Sequence, residues 1–129
     1  MRGSMPRILL DQNVPRRLRD HLSGYDVETA ARRGWSTLAN GELIRAAELD
    51  GFDCIITADQ NLRYPQNLAS RRITIIVLGT NHWDVIRTDV PRIIFALANS
   101  SPGSFVEIHY PPPPAKRRHG AEPRDPEPT

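Results

Sequence analysis

Three acidic residues are spaced so that they could form one metal site. Asp11 directly follows the apolar run 8–10, Asp59 closely follows the apolar run 54–57, and Glu42 lies at the start of a helix pattern. Carboxylates held close together repel one another unless a cation neutralises them. Oxygen ligands without nearby Cys or His favour Mg²⁺ or Mn²⁺, which promote phosphodiester hydrolysis. The three acids therefore predict a Mg²⁺ or Mn²⁺ site with this chemistry.

Each acid also has a purely structural interpretation. Asp11 and Asp59 are suitable caps for the segments that follow them, and Glu42 would be favourable in the first turn of a helix. Asp84, which follows the predicted strand 73–78, is a candidate fourth metal ligand or a solvated residue at a helix start. The metal-site interpretation depends on two acids that close two wholly apolar strands.

Polar side chains near these acids could orient a metal-bound water or a phosphate. They are Asn13, Asn40, Thr57 and Asn61. The same residue types are common in turns and helix caps, and capping is the expected role of Asn40. Either interpretation places them at the ends of the predicted elements.

Arginines flank the strand ends and the neighbouring helices, where they could hold a phosphate backbone. The candidates are Arg16, Arg17, Arg63, Arg71 and Arg72. Two aromatic residues, Trp35 and Tyr64, could stack on bases of single-stranded RNA, or they could serve in ordinary packing.

Apolar runs that alternate with helix patterns must position these residues. The predicted strands are 7–10, 25–29, 54–57, 73–78 and 104–110, the last of them at an edge. The order β-α-β-α-β-α-β-α-β predicts an α/β fold with a mainly parallel sheet of about five strands. A continuous apolar run fits a strand that is buried on both faces.

The intervening segments predict helices with definite caps and buried faces. Asn13 is expected to cap the first helix, whose apolar stripe is Val14, Leu18 and Leu22. A second helix is expected from 40 to 49, closed by Asp50-Gly51, and a kinked segment from 59 to 68. A last helix is expected to begin near 83 or near 90 and to end at 98. The predicted buried residues of the second and last helices are Leu43, Ile44, Ala46, Ala47, Leu49, Ile93, Ile94 and Leu97.

The composition is typical of one globular domain. The chain has 129 residues, 39% hydrophobic and 25% charged, with a net charge of +2. Cys54 is the only cysteine, which excludes a disulfide within the chain, and the histidines lack zinc-ligand spacing. No apolar stretch is long enough for a membrane span, so a cytoplasmic protein is expected. Residues 1–4 resemble an expression leader, 5–110 form the domain, and the Pro-rich tail 111–129 is predicted to be disordered.

Three short motifs lie between Arg7 and Leu78, namely ILLDQNVP, LANGELIRAAELDGFDCIITAD and the NL that follows. They resemble motifs of the PIN-like nucleases, and most closely those of the short PIN-like toxins of bacterial toxin–antitoxin pairs. The resemblance implies a three-layer α/β/α sandwich and a Mg²⁺- or Mn²⁺-dependent ribonuclease. It also implies a homodimer neutralised by a small antitoxin. Asp11, Glu42 and Asp59 match the metal-binding acids by position.

Two departures from the family pattern leave other functions open. Gln12 and Asn40 stand where acids are frequent in these nucleases. A catalytically inactive PIN-like module that binds RNA or a protein would account for both replacements. A phosphoacceptor receiver domain is a further alternative, with Asp59 phosphorylated and Asp11 in its metal site. The missing second acid at Gln12 and the position of the single lysine, Lys116, disfavour it.

Overall fold

The computed structural model describes residues 5–60 and 72–110. Five strands alternate with helical segments. The strands are β1 (Arg7–Leu10), β2 (Asp26–Thr29), β3 (Cys54–Thr57), β4 (Thr74–Leu78) and β5 (Phe105–Ile108). The helices are a 3₁₀ helix (Arg16–His21), α1 (Ala30–Arg33), α2 (Asn40–Leu49), α3 (Trp83–Ile86) and α4 (Val90–Asn99).

The strands form one sheet in the order β2-β1-β3-β4-β5, and every neighbouring pair is parallel. The α/β class and the parallel sheet predicted from the alternating pattern are therefore confirmed. β2 lies on one side of β1, and the chain then crosses to β3 on the other side, so the topological switch point lies between β1 and β3. In open α/β sheets of this order, ligands bind outside the carboxyl ends of the strands at that switch point.

The core is divided into two hydrophobic clusters because successive strand residues point to opposite faces of the sheet. Ile8 and Leu10 join Leu18 of the 3₁₀ helix and Ile93 of α4 in one cluster. Leu9 packs in the other cluster with side chains of α1 and α2. This division is the pattern expected where helices cover both faces.

The first helical segment differs from its prediction. It is a 3₁₀ helix that begins at Arg16 after Pro15, and no side chain caps it. Its predicted stripe of Val14, Leu18 and Leu22 is buried as expected. Asn13 does not cap this helix, because its side-chain oxygen accepts a hydrogen bond from the Ala58 N–H, 45 residues away.

The second and last helices require smaller corrections. The N-cap of α2 is Ala39, so Asn40 is the first helical residue instead of the cap. Leu49 was predicted to be buried but is 83% exposed, because it follows Ala47 around the helix onto the solvent side. Ile94 is likewise exposed, beside the fully buried Ile93.

Several sequence predictions concern residues outside the described ranges. They are the leader 1–4, the segment 61–71 and the tail 111–129; the segment 61–71 contains Asn61, the candidate phosphate contacts Arg63 and Arg71, and Tyr64. A helix begins at each of the two predicted starts of the last helix, α3 at Trp83 and α4 at Val90. None of the helices in residues 5–60 and 72–110 is long and apolar enough to cross a bilayer.

Candidate active site

The carboxyl ends of β1 and β3 bring Asp11, Asn13, Thr57 and Asp59 together. The register pairs Leu10 with Ile56, and the Asp11 N–H continues the ladder by donating to the Ile56 carbonyl at 2.9 Å. Residues that follow the two strands must therefore meet at the switch point of the sheet. Of the polar residues predicted from the sequence, the structure places Asn13 and Thr57 with the two acids at the edge where this fold binds ligands, whereas Asn40 begins α2.

The Thr57 hydroxyl connects the two acidic loops. It donates a hydrogen bond to Oδ2 of Asp11 at 2.8 Å and accepts one from the backbone N–H of Asp59 at 3.1 Å. Thr57 is only 2% exposed, so its hydroxyl is held in place by the packed sheet. One buried group thus orients the carboxylate of Asp11 and the backbone at Asp59.

Asn13 fixes the same junction from the β1 side. Its Oδ1 accepts the Ala58 N–H at 3.0 Å, so the loop after β1 is tied directly to the loop after β3. Oδ1 of Asp11 accepts the Gln12 N–H at 2.7 Å. Among the described residues, each carboxylate oxygen of Asp11 therefore has one donor and keeps further acceptor capacity.

Glu42 has a local structural role. It lies in the first turn of α2, and its carboxylate accepts a hydrogen bond from the Ala39 N–H at 3.3 Å. This is the reciprocal half of a capping box, and the acid also complements the helix dipole. Among the described residues, no three His, Cys, Asp or Glu side chains are grouped to hold a metal ion. Glu42 is therefore not gathered into such a group with Asp11 and Asp59.

Asp84 and Arg72 also lie apart from the two acidic loops. The Asp84 side chain is 91% exposed and pairs with Arg87 at 3.5 Å in α3. Arg72 precedes β4, so it lies at the amino end of the parallel sheet, opposite the carboxyl ends that carry Asp11 and Asp59. Its backbone N–H donates to the Glu48 carboxylate at 2.9 Å. Trp35, a candidate for stacking on an RNA base, packs against residues of this chain. Its ring lies against Phe52, and the Arg33 guanidinium lies over it.

A groove rich in arginine lies beside β2, and we call it the arginine groove. Its volume is about 490 Å³. The residues that line it are Arg16, Arg17, Arg19, Asp20, Thr29, Ala31 and Arg32. Arg16 and Arg17 were expected to contact phosphate, whereas Arg19 and Arg32 were not among the candidates. Arg32 could have been found only by knowing that α1 starts directly after Thr29.

Two other arginines belong to an ion-pair network with acids. Arg7 lies near Glu28 at 3.6 Å and Asp50 at 3.3 Å, and its guanidinium lies 4.2 Å from the Phe52 ring centre. Arg33 pairs with the same two acids. The hydrogen bond with Glu28 is the main cause of a raised pKa for the Arg33 guanidinium, and Asp50 adds to it. Asp26 completes this network through Arg7.

Comparison of the chain with models of protein families, with curated proteins and with solved structures found no match.

Proposed function

We propose that this chain is a metal-dependent ribonuclease of the PIN-like type, in which Asp11 and Asp59 hold a Mg²⁺ or Mn²⁺ ion. The observation that carries the proposal is the Thr57 hydroxyl, which ties Asp11 to the Asp59 loop at the switch point of the sheet. The proposed role as the toxin of a toxin–antitoxin pair depends on the resemblance of the motifs. The same resemblance supports a small antitoxin and a homodimer as partners.

The donor set fits the proposed ion. Carboxylate, amide and hydroxyl oxygens are the ligands that Mg²⁺ prefers, and protein sites commonly supply only one or two carboxylates. Waters and substrate phosphates complete the coordination in such sites, so Asp11 and Asp59 suffice without Glu42. When bound, the ion would polarise a phosphoryl oxygen and lower the pKa of a bound water.

The other residues of the site would position the reacting groups. Because Oδ1 of Asn13 accepts the Ala58 N–H, its amide NH₂ group is left to donate to a phosphoryl oxygen. The oxygen of a water molecule forms a bond to phosphorus as the bond to the leaving sugar oxygen breaks. The attacking water loses a proton to a carboxylate, and the leaving oxygen takes up a proton. Thr57 keeps Asp11 in one orientation throughout.

The inactive-module alternative is favoured by Gln12 and Asn40, which stand where acids are frequent in the PIN-like nucleases. A receiver domain has the strand order found here, so the fold is compatible with that alternative as well. Both alternatives retain the α/β fold. They differ from the nuclease in the reaction that the site performs.

Incubation of the purified chain with a labelled mixed RNA pool separates the three functions. The nuclease should cut RNA in Mg²⁺ or Mn²⁺ and stop when EDTA is added. An inactive module should shift RNA in a gel without cutting it. A receiver should cut no RNA and should gain the mass of one phosphoryl group from acetyl phosphate, and Asp59→Asn should abolish that gain.

A further inference from the structure

The arginine groove lies at the same edge of the sheet as the acidic loops. Thr29, which lines the groove, pairs in register with Leu10, the residue directly before Asp11. Neighbouring strands are about 4.8 Å apart, so the groove begins one strand spacing from the Asp11 loop. A chain molecule bound at Asp11 could therefore continue into the groove.

The arginines of the groove have charge available for a ligand. In the ranges that the structure describes, no ion pair or hydrogen bond involves the guanidinium groups of Arg16, Arg17, Arg19 and Arg32, although the Arg32 backbone N–H donates to the Thr29 hydroxyl. Arg7 and Arg33, by contrast, pair with acids of this chain. Asp20 is the only acid among the described residues that line the groove, so positive charge predominates among them.

We infer that the arginine groove binds the phosphates of RNA next to the bond that is cut, independently of the base sequence. This inference rests on the proposed nuclease function, because that function places a phosphodiester at Asp11. The described residues lining the groove include no aromatic ring on which a base could stack. Arginine contacts to phosphate position a strand without reading its sequence.

The position of the groove favours RNA over an acidic protein segment. A groove that begins one strand spacing from the Asp11 loop is suited to the remainder of the same polymer, whereas a protein partner would need no such proximity to the reaction site. The planar guanidinium also matches the geometry of phosphate oxygens. Asp20 would oppose either polyanion.

The test measures equilibrium binding of a fluorescent single-stranded RNA in EDTA, where cutting cannot occur, over a range of salt concentrations. Arg19→Gln and Arg32→Gln should each raise Kd roughly 3-fold or more, equally for RNAs of different sequence. Each should also lower the slope of log K against log salt by about 0.7. Arg45→Gln is the matched control, because Arg45 is exposed on α2, across the sheet from the 3₁₀ helix.

Asp20→Asn provides a test with the opposite sign. Removing the negative charge of Asp20 from the groove should tighten RNA binding roughly 2- to 5-fold, the range of exposed charge interactions. Circular dichroism and thermal melting of every variant establish that the fold is retained. A variant set in which Arg19→Gln and Arg32→Gln weaken binding while Asp20→Asn strengthens it would support the groove as the RNA track.

Other outcomes separate the groove from the nuclease proposal. If wild type binds and cuts RNA but the groove variants bind like wild type, the groove assignment is wrong and the nuclease stands. If an Asp/Glu peptide of equal charge binds the groove more tightly than RNA, the groove belongs to a protein partner. If wild type binds no RNA at all, the inference is overturned whatever the metal-dependent cleavage assay shows.

Discussion

The ion-pair network and the arginine groove use the same residue type for opposite purposes. In the network, Arg7 and Arg33 are surrounded by Asp26, Glu28 and Asp50, so their charges are satisfied within the chain. In the groove, four arginines are left without internal partners in the described residues. The number of arginines therefore says little about ligand binding. The positions of the acids decide which arginines form ion pairs within the chain and which can bind a ligand.

Arg7→Met should give the largest loss of stability and so distinguish the ion-pair network from the arginine groove. The substitution removes the pairs with Asp26, Glu28 and Asp50 and the cation–π contact with Phe52. We expect the free energy of unfolding to fall by about 2 kcal/mol in urea denaturation. Arg16→Gln, the control in the groove, should change it by less than about 0.5 kcal/mol. Equal losses in the two variants would show that the groove arginines are also structural.

Thr57→Val should affect both stability and reaction at the site. Valine has nearly the same shape but leaves the Asp59 N–H and Oδ2 of Asp11 without the hydroxyl between them. The expected loss of stability is about 1–2 kcal/mol, with a larger proportional loss of RNA cleavage. Thr57→Ser, which retains the hydroxyl, should restore most of the cleavage. If Thr57→Val cuts RNA like wild type, Thr57 is not a positioning residue.

Stability should fall as the pH rises above about 8.5, the usual pKa of a thiol in an unfolded chain. Burial, with a contribution from Asp53, raises the pKa of Cys54 in the folded protein, so the folded state keeps its proton while the unfolded state loses it. The slope approaches 1.4 kcal/mol per pH unit. Urea melts between pH 8 and 9.5 measure it, and Cys54→Ala should be less stable but less dependent on pH. If wild type and Cys54→Ala show the same slope of stability against pH, groups other than Cys54 cause the pH dependence.

Glu42→Gln should have the smallest effect, because we assign Glu42 to the cap of α2. Gln can still accept the hydrogen bond from the Ala39 N–H, while the loss of charge at the helix start costs at most about 1 kcal/mol. RNA cleavage should be unchanged. A large loss of cleavage in a variant with a normal melting temperature would instead make Glu42 a third functional acid.

Much of the sheet was predictable from the sequence because its strands are continuous apolar runs. β1 and β3 are the predicted runs, and the residues that end them, Asp11 and Thr57, meet as parallel pairing requires. β5 lies at an edge of the sheet, as its alternating pattern indicated. The hydrophobic pattern predicts which residues form a buried strand. Parallel pairing then places the carboxyl ends of all strands at the same edge of the sheet.

Side-chain partners were less predictable because residue type does not choose between possible donors. Asn13 is a good helix cap by type, yet the distant Ala58 N–H is the donor that it meets in the fold. Arg19 and Arg32 come from separate segments of the chain, and only the pairing of β2 with β1 brings them to one groove. Leu49 was misplaced because two residues along a helix turn a side chain by about 200°, from the buried side at Ala47 to the solvent side.

The most direct test of the account is the initial rate of RNA cleavage in Mn²⁺ by wild type, Asp11→Asn, Asp59→Asn and Asp84→Asn. Asp84 is the matched control, because its carboxylate is exposed and pairs only with Arg87 among the described residues. We predict that Asp11→Asn and Asp59→Asn each lower the rate about 100-fold or more, while Asp84→Asn cuts like wild type. Cleavage that survives in both Asp11→Asn and Asp59→Asn would contradict the assignment of the nuclease site to these two acids.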